Sequence, residues 1–131
     1  MALVVADSDV LIDALQGRDP ASDRIAIAME AGSLATTTIS CFELLSGARD
    51  GKARTLVERL LAPIPLLPLD DAAAKAAADA RRGLESTGAP IGMADYLIAG
   101  ICLARSATLL TRNVAHFSRV QGLRLDPLFE G

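Results

Sequence analysis

Aromatic residues are scarce in this chain, at 3% of 131 residues, with three Phe, one Tyr and no Trp. That argues against a platform on which successive single-stranded bases stack, because such a platform needs several exposed rings. It also requires an aliphatic, Ala-rich core. Histidine occurs once, at His116, and cysteine twice, at Cys41 and Cys102, with no CxxC pair. A zinc site is therefore not expected. Nor is a disulfide framework, which suggests a reducing, cytoplasmic compartment and two cysteines that pack as small apolar groups. There is no basic excess: 13 Lys and Arg stand against 16 Asp and Glu, a net charge of −3. Tight nonspecific binding of nucleic acid through a basic surface is thereby disfavoured, whereas a nucleic-acid substrate held through metal ions is not. No uncharged apolar run approaches the ~20 residues that span a bilayer. The opening MALVVADSD lacks a basic segment and reaches an acid by Asp7, so it does not read as a secretory signal.

Half of the chain is hydrophobic (51%) and 22% is charged, a composition that folds. The length suits one domain, taken as residues 1–131. Leu3 to Ala6 reads as a short buried strand, ended by Asp7-Ser8-Asp9, whose polar side chains can cap a helix carrying Val10, Leu11, Ile12 and Leu15. A second helix is expected over 22–31 and a β-branched strand over 34–38. Ser40 and Glu43 form a capping-box pattern before the next helix. Helices follow over 52–61, from Asp70 to about Glu85, and from near Asp95 to about Arg105. A proline-bracketed strand lies at 64–67, suited to a sheet edge. Ala107 to Leu110 is another strand, followed by the polar Thr111-Arg112-Asn113, and a last short strand lies around 123–126.

Alternating strands and helices predict a parallel sheet with helices on both faces. Ligands in such sheets bind beyond the carboxyl ends of the strands. The polar residues that follow the strands are Asp7 and Asp9, Glu43 in the second helical turn after a strand, and Thr111 and Asn113; Asp95 opens the helix before the fourth strand. Carboxylates that meet at one edge repel one another unless a hard divalent cation binds, and Mg²⁺ or Mn²⁺ prefers such oxygens. Each acid also has a plainer reading. Asp7 can be a helix cap, Glu43 can complete the box with Ser40, and Asp95 can suit a helix dipole. Asp13, Asp19, Asp50 and Asp79 read as solvated surface acids.

Four segments, VVADSDVLIDAL, TTTISCFELLSGA, PIGMADYLIAGICLA and TLLTRNVAHFSRVQGLRL, resemble in order the blocks of the PIN domain, in particular the VapC-type toxins of toxin–antitoxin pairs. The resemblance runs from Val4 to about Pro127. It implies an α/β fold, a PIN-like three-layer α/β/α sandwich around a mainly parallel sheet of four to five strands. It implies a metal-dependent endoribonuclease in which Asp7, Glu43 and Asp95 hold Mg²⁺ (or Mn²⁺) and Asn113 assists, with Asp9, Thr111 and Arg112 in support. Asn113 falls near a fourth acidic position of the family and brings no charge, which leaves a second metal in doubt. His116 stands where the subgroup often has Asp, and is read here as a surface or phosphate-adjacent side chain. Arg49 and Arg112 are candidate phosphate contacts, with a solvated surface Arg the plainer reading of Arg49. Implied partners are an RNA substrate, a small VapB-like antitoxin that covers the acidic groove, and a second copy of the chain, giving a heterotetramer or larger assembly and no membrane. With three acids neutralised by metal, 13 remain against 13 bases. RNA affinity should then depend on the metal and on local arginines.

Rival readings exist. Asp7-Ser8-Asp9-Val10 also resembles the opening of a HAD-type phosphatase, and paired N-terminal acids suit a receiver domain. Both expect a lysine after a later strand, whereas the chain has only Lys52 and Lys75. A receiver also needs a phosphoacceptor acid ending its middle strand, for which Asp70 is a poor substitute. A noncatalytic PIN-like binding module would not need all three acids. A dinucleotide site lacks its GxGxxG.

Overall fold

A computed structural model describes residues 2–129; Met1, Glu130 and Gly131, the ends of the expected domain, lie outside the described residues. Five strands, β1 (Val4–Ala6), β2 (Leu34–Thr37), β3 (Leu66–Leu67), β4 (Thr108–Leu110) and β5 (Arg124–Leu125), form one sheet in the order β3-β2-β1-β4-β5. Every pairing is parallel. The connections are α1 (Ser8–Leu15) and α2 (Ala21–Glu30), α3 (Thr38–Gly47) and α4 (Gly51–Leu61), α5 (Asp71–Ser86) and α6 (Met93–Arg105), then the short α7 (Val114–Phe117). A 3-10 turn, Pro127–Phe129, follows β5.

Strand alternation builds the layers. Val4 and Ala6 of β1, Leu34 of β2 and Leu110 of β4 pack against α1, α2, Leu44 of α3 and Val57 and Leu61 of α4. Val5, Ala35 and Leu109, one position away, pack on the other face against Ala73 of α5, Ile98, Ile101 and Cys102 of α6, and Phe117. Period two along each strand thus supplies two cores, and the fold is the three-layer α/β/α sandwich that the sequence pattern called for. Small residues decide how closely α5 and α6 approach. A Cβ on Gly100 would overlap the Ala73 carbonyl oxygen and lie 2.6 Å from the Ala77 Cβ. The approach fixes the helix that carries Asp95.

Several expectations are corrected. The capping box at Ser40 does not form: β2 runs straight into α3, Thr37 caps it by accepting the Ser40 N–H at 3.0 Å, and Ser40 is a buried helical residue. The strand ends at Thr37, one residue earlier than expected, and the helix cap falls three residues before Ser40. The strand expected at 64–67 is only Leu66–Leu67; it does sit at the sheet edge, while Ile64 is buried in the α1–α2 layer. Asp13 and Asp50 are not free surface acids. Asp50 caps α4, accepting the Ala53 N–H at 2.7 Å, and Asp13 is buried against Arg112. Among the described residues no helix is long and apolar enough to cross a membrane.

Candidate metal centre at the carboxyl edge of the sheet

The strand order reverses at β1, which sends its first connection to one side of the sheet and has β4 on the other. A crevice at this switch point is where open parallel sheets bind ligands. Asp7 follows β1 directly and caps α1, its Oδ1 accepting the Ser8 N–H at 2.8 Å. Its backbone N–H extends the ladder to the Leu110 carbonyl at 2.9 Å, so the carboxylate is fixed at both ends. Thr111, the residue after β4, donates its hydroxyl to Asp7 Oδ2 at 2.8 Å. The same hydroxyl oxygen lies 3.4 Å from Asp9 Oδ2 and accepts the Asn113 N–H at 3.0 Å. A hydroxyl has one proton. The shorter contact takes it, which leaves the Thr111–Asp9 approach without one.

Asp9 Oδ2 is held instead by the Arg112 backbone N–H at 3.0 Å. Its other oxygen, Oδ1, is buried with no hydrogen-bond partner among the described residues. Glu43 arrives from α3, its Oε1 accepting the Ser8 hydroxyl at 3.4 Å rather than anything from Ser40. Asp95 stands in the first turn of α6, its Oδ2 3.6 Å from His116 Nδ1, which in turn lies 3.1 Å from Asn113 Nδ2. Asp7, Asp9 and Glu43, with Asp95 felt by Glu43, thus share one electrostatic neighbourhood. His116 stands beside Asp95, and Asn113 contacts His116.

The electrostatics follow. Burial, then the nearby Asp9 charge, pushes the Asp7 carboxyl from the ordinary 3.8 up to about 7; the Thr111 and Ser8 hydrogen bonds oppose this and Glu43 adds to it. Burial raises Asp9, against the pull of its Arg112 contact. Burial also raises Glu43, aided by Asp95 and Asp9. Carboxylates that raise one another's proton affinity would be stabilised in their charged form by a nearby cation.

Among the described residues no three or more Asp, Glu, His or Cys side chains are placed so that together they could hold a metal ion. The donor set nevertheless fits a hard cation that keeps several of its own waters, since such an ion needs only a few carboxylates from the protein. The partnerless Asp9 oxygen is the plainest sign of the fit. Arg49 is exposed beyond the end of α3, whereas Arg112 pairs with Asp13 at 3.0 Å. Cys102 is buried, its thiol pushed up to about 12 by burial, and Cys41 is partly buried. Sequence reasoning missed Ser8 as the partner of Glu43, and Asp13. The second had a signal: Asp13 lies four residues after Asp9, on the same helix face.

The rivals lose their anchors. Lys52 is exposed on α4 and Lys75 is exposed on α5, paired with Asp71 at 2.9 Å; neither stands at the end of a strand. The strand before Asp70 is an edge strand, not a central one.

Residues 4–123 match the family model described as PIN domain. The chain is 36% identical to ribonuclease VapC10 of Mycobacterium tuberculosis over 93% of this chain and 91% of that protein. It is 28% identical to the tRNA(fMet)-specific endonuclease VapC of Shigella flexneri over 96% and 98%. Among solved structures, a VapBC2 complex of Rickettsia felis bound to a promoter DNA fragment contains a chain that superposes with a TM-score of 0.87 at 22% identity, covering 95% of this chain and 97% of that one. A DNA-bound VapBC of Salmonella typhimurium superposes at 0.86 with 24% identity, covering 96% and 98%.

Proposed function

This chain belongs to the PIN domain family, and on that premise we propose that it is a metal-dependent endoribonuclease, the toxin of a VapBC-like pair. The observation that carries the proposal is the Asp7–Asp9–Glu43 group at the switch point, in which a buried Asp7 stands beside two partly buried acids that raise its proton affinity, with one Asp9 oxygen left unpartnered. A ribonuclease and a tRNA-specific endonuclease among its relatives give the substrate class. Asp7, Glu43 and Asp95 would hold Mg²⁺ or Mn²⁺, with Asp9 and Asn113 alongside. When bound, the ion would neutralise charge on the phosphoryl group and lower the pKa of a bound water.

The chain's own residues fix the donors. Thr111 locks the orientation of Asp7 Oδ2, the Arg112 N–H locks Asp9 Oδ2, and Ser8 tethers Glu43. Each therefore reaches the working geometry with little reorganisation. His116 lies 3.6 Å from the Asp95 carboxylate and is itself in contact with Asn113. The free lone pairs of Asp9 Oδ1 can receive a hydrogen bond from a cation-bound or substrate water.

The antitoxin would dock beside these acids. A groove of about 380 Å³ there is lined by Ile12 and Leu15 of α1, Leu44 of α3 and Leu56 and Val57 of α4, with Glu43 at its margin. Ile12 and Leu56 are substantially exposed, and an apolar segment of a partner would cover them. A homodimer belongs to the same proposal.

The test is incubation of total RNA with purified protein and Mg²⁺ or Mn²⁺, with the ends mapped. The wild type should cut at defined positions and Asp7→Asn should not. Cleavage retained by an Asp7→Asn preparation free of contaminating nuclease would overturn the assignment.

A further inference from the structure

We propose that Arg112 is the phosphate-contacting cation of this site and that Asp13 is the positioning residue that holds it; this rests on the ribonuclease reading above. Arg112 is attached to α1 twice, one helical turn apart. Its backbone N–H bonds Asp9 Oδ2 at 3.0 Å, and its Nε lies 3.0 Å from Asp13 Oδ2. The Asp13 side chain is 10% exposed and that of Arg112 is 50% exposed, so a nearly buried anion anchors a cation whose far side faces solvent. Nε is thus engaged by Asp13, while no hydrogen bond of the two Nη groups is found among the described residues. Several other arginines are engaged away from this edge: Arg24 bonds Asp126, Arg119 the Pro90 carbonyl and Arg124 the Ser106 carbonyl.

The location gives those unused donors a task. A phosphodiester approaching this edge meets Asp7, Asp9, Glu43 and Asp95, all repulsive, and Arg112 follows directly the Thr111 that bonds Asp7. A guanidinium fork suits phosphate oxygens. A free guanidinium beside four carboxylates would also fold onto them and compete with the metal. Asp13 prevents this by drawing the side chain one turn along α1, away from Asp9. The proposal therefore gives Asp13 two effects, keeping Arg112 extended toward substrate and keeping it off the acids.

The experiment compares wild type, Arg112→Ala, Arg112→Lys, Asp13→Asn and the Asp13→Asn/Arg112→Ala double variant. It measures RNA cleavage, single-stranded RNA binding in EDTA against salt, and Mn²⁺ affinity without RNA. Arg112→Ala should lower kcat/KM about 100-fold, with partial rescue by Arg112→Lys. It should also reduce the salt slope of RNA binding by about one phosphate contact. Asp13→Asn should lower kcat/KM about tenfold. It should weaken Mn²⁺ binding about tenfold, and the double variant should restore that binding while remaining poor at cleavage. The restored affinity is a result that a merely structural ion pair would not produce, and the double variant is also the folded control, because it leaves no unpaired buried charge. If wild type cuts RNA and either Arg112→Ala or the double variant stays within twofold of it, this proposal fails alone. It fails too if Asp13→Asn leaves Mn²⁺ affinity unchanged. If wild type cuts no RNA with either metal, the ribonuclease reading fails and takes this one with it.

Discussion

Asp126 and Asp7 are equally buried, each 7% exposed, yet their surroundings are opposite. Asp126 Oδ2 accepts both Nε and Nη2 of Arg24, at 3.1 and 2.9 Å, and its Oδ1 accepts the Leu128 N–H at 3.1 Å. Its charge is neutralised within the fold, and it ties the chain after β5 to α2. Asp7 has one hydroxyl and one backbone N–H, and its nearest charges are other acids. Burying an acid with a base gives a structural clamp. Burying acids together gives a site whose missing charge must come from outside, and such costly arrangements concentrate at functional sites.

The largest test of this contrast is catalytic. Asp7→Asn should lower RNA cleavage by at least about 10³-fold, on the order of 4 kcal/mol in the barrier, while a thermal melt still shows a folded protein. Its counterpart at the clamp, Arg24→Ala, should leave the cleavage rate per folded molecule unchanged.

Next comes pH. The Asp7 carboxyl ionises at about 7 in the fold and near 3.8 when exposed, so between these values the folded chain binds more protons than the unfolded one. The Asp7 contribution to stability is therefore complete below about pH 4 and is lost as pH rises through 7, a fall of about 2–4 kcal/mol. Melting in EDTA at pH 8 should show Asp7→Asn more stable than wild type, and Mn²⁺ should close the gap by stabilising only the wild type. A wild type no less stable than Asp7→Asn under those conditions would remove the contrast with Asp126.

Arg24→Ala should cost about 2–3 kcal/mol in a denaturant titration, below the full value for a buried pair because Arg24 is itself 26% exposed. The smallest effect is expected at Ser8. Its hydroxyl reaches Glu43 at a long 3.4 Å, so Ser8→Ala should cost less than about 1 kcal/mol and slow cleavage about threefold through a looser Glu43. A larger loss on cleavage would mean that Ser8 touches substrate.

The alternation of apolar runs and amphipathic segments determined the α/β class by itself, because strand and helix periods are written in neighbouring residues. Asp7 and the Thr111–Asn113 turn were legible for the same reason, as polar residues ending a strand or following one. Capping of α5 by Asp70 was equally local, a short side chain reaching an N–H three residues on. Other features were decided only by tertiary structure. Ser40 and Asp70 both look like caps, but β2 ends at Thr37, its last pairing with β3, and α3 starts at once, so Ser40 falls inside α3. The spacing of Asp13 from Asp9 puts it on the same helix face, but only Arg112, from the other end of the chain, shows that it is a paired and buried acid. Thr111 meets Asp7 across 104 positions and Arg24 meets Asp126 across 102. Desolvation and charge pairing depend on what the fold brings near, which local pattern does not encode. The sequence therefore placed the acids at the strand ends, and the packing decided which were neutralised and which were left waiting for a cation.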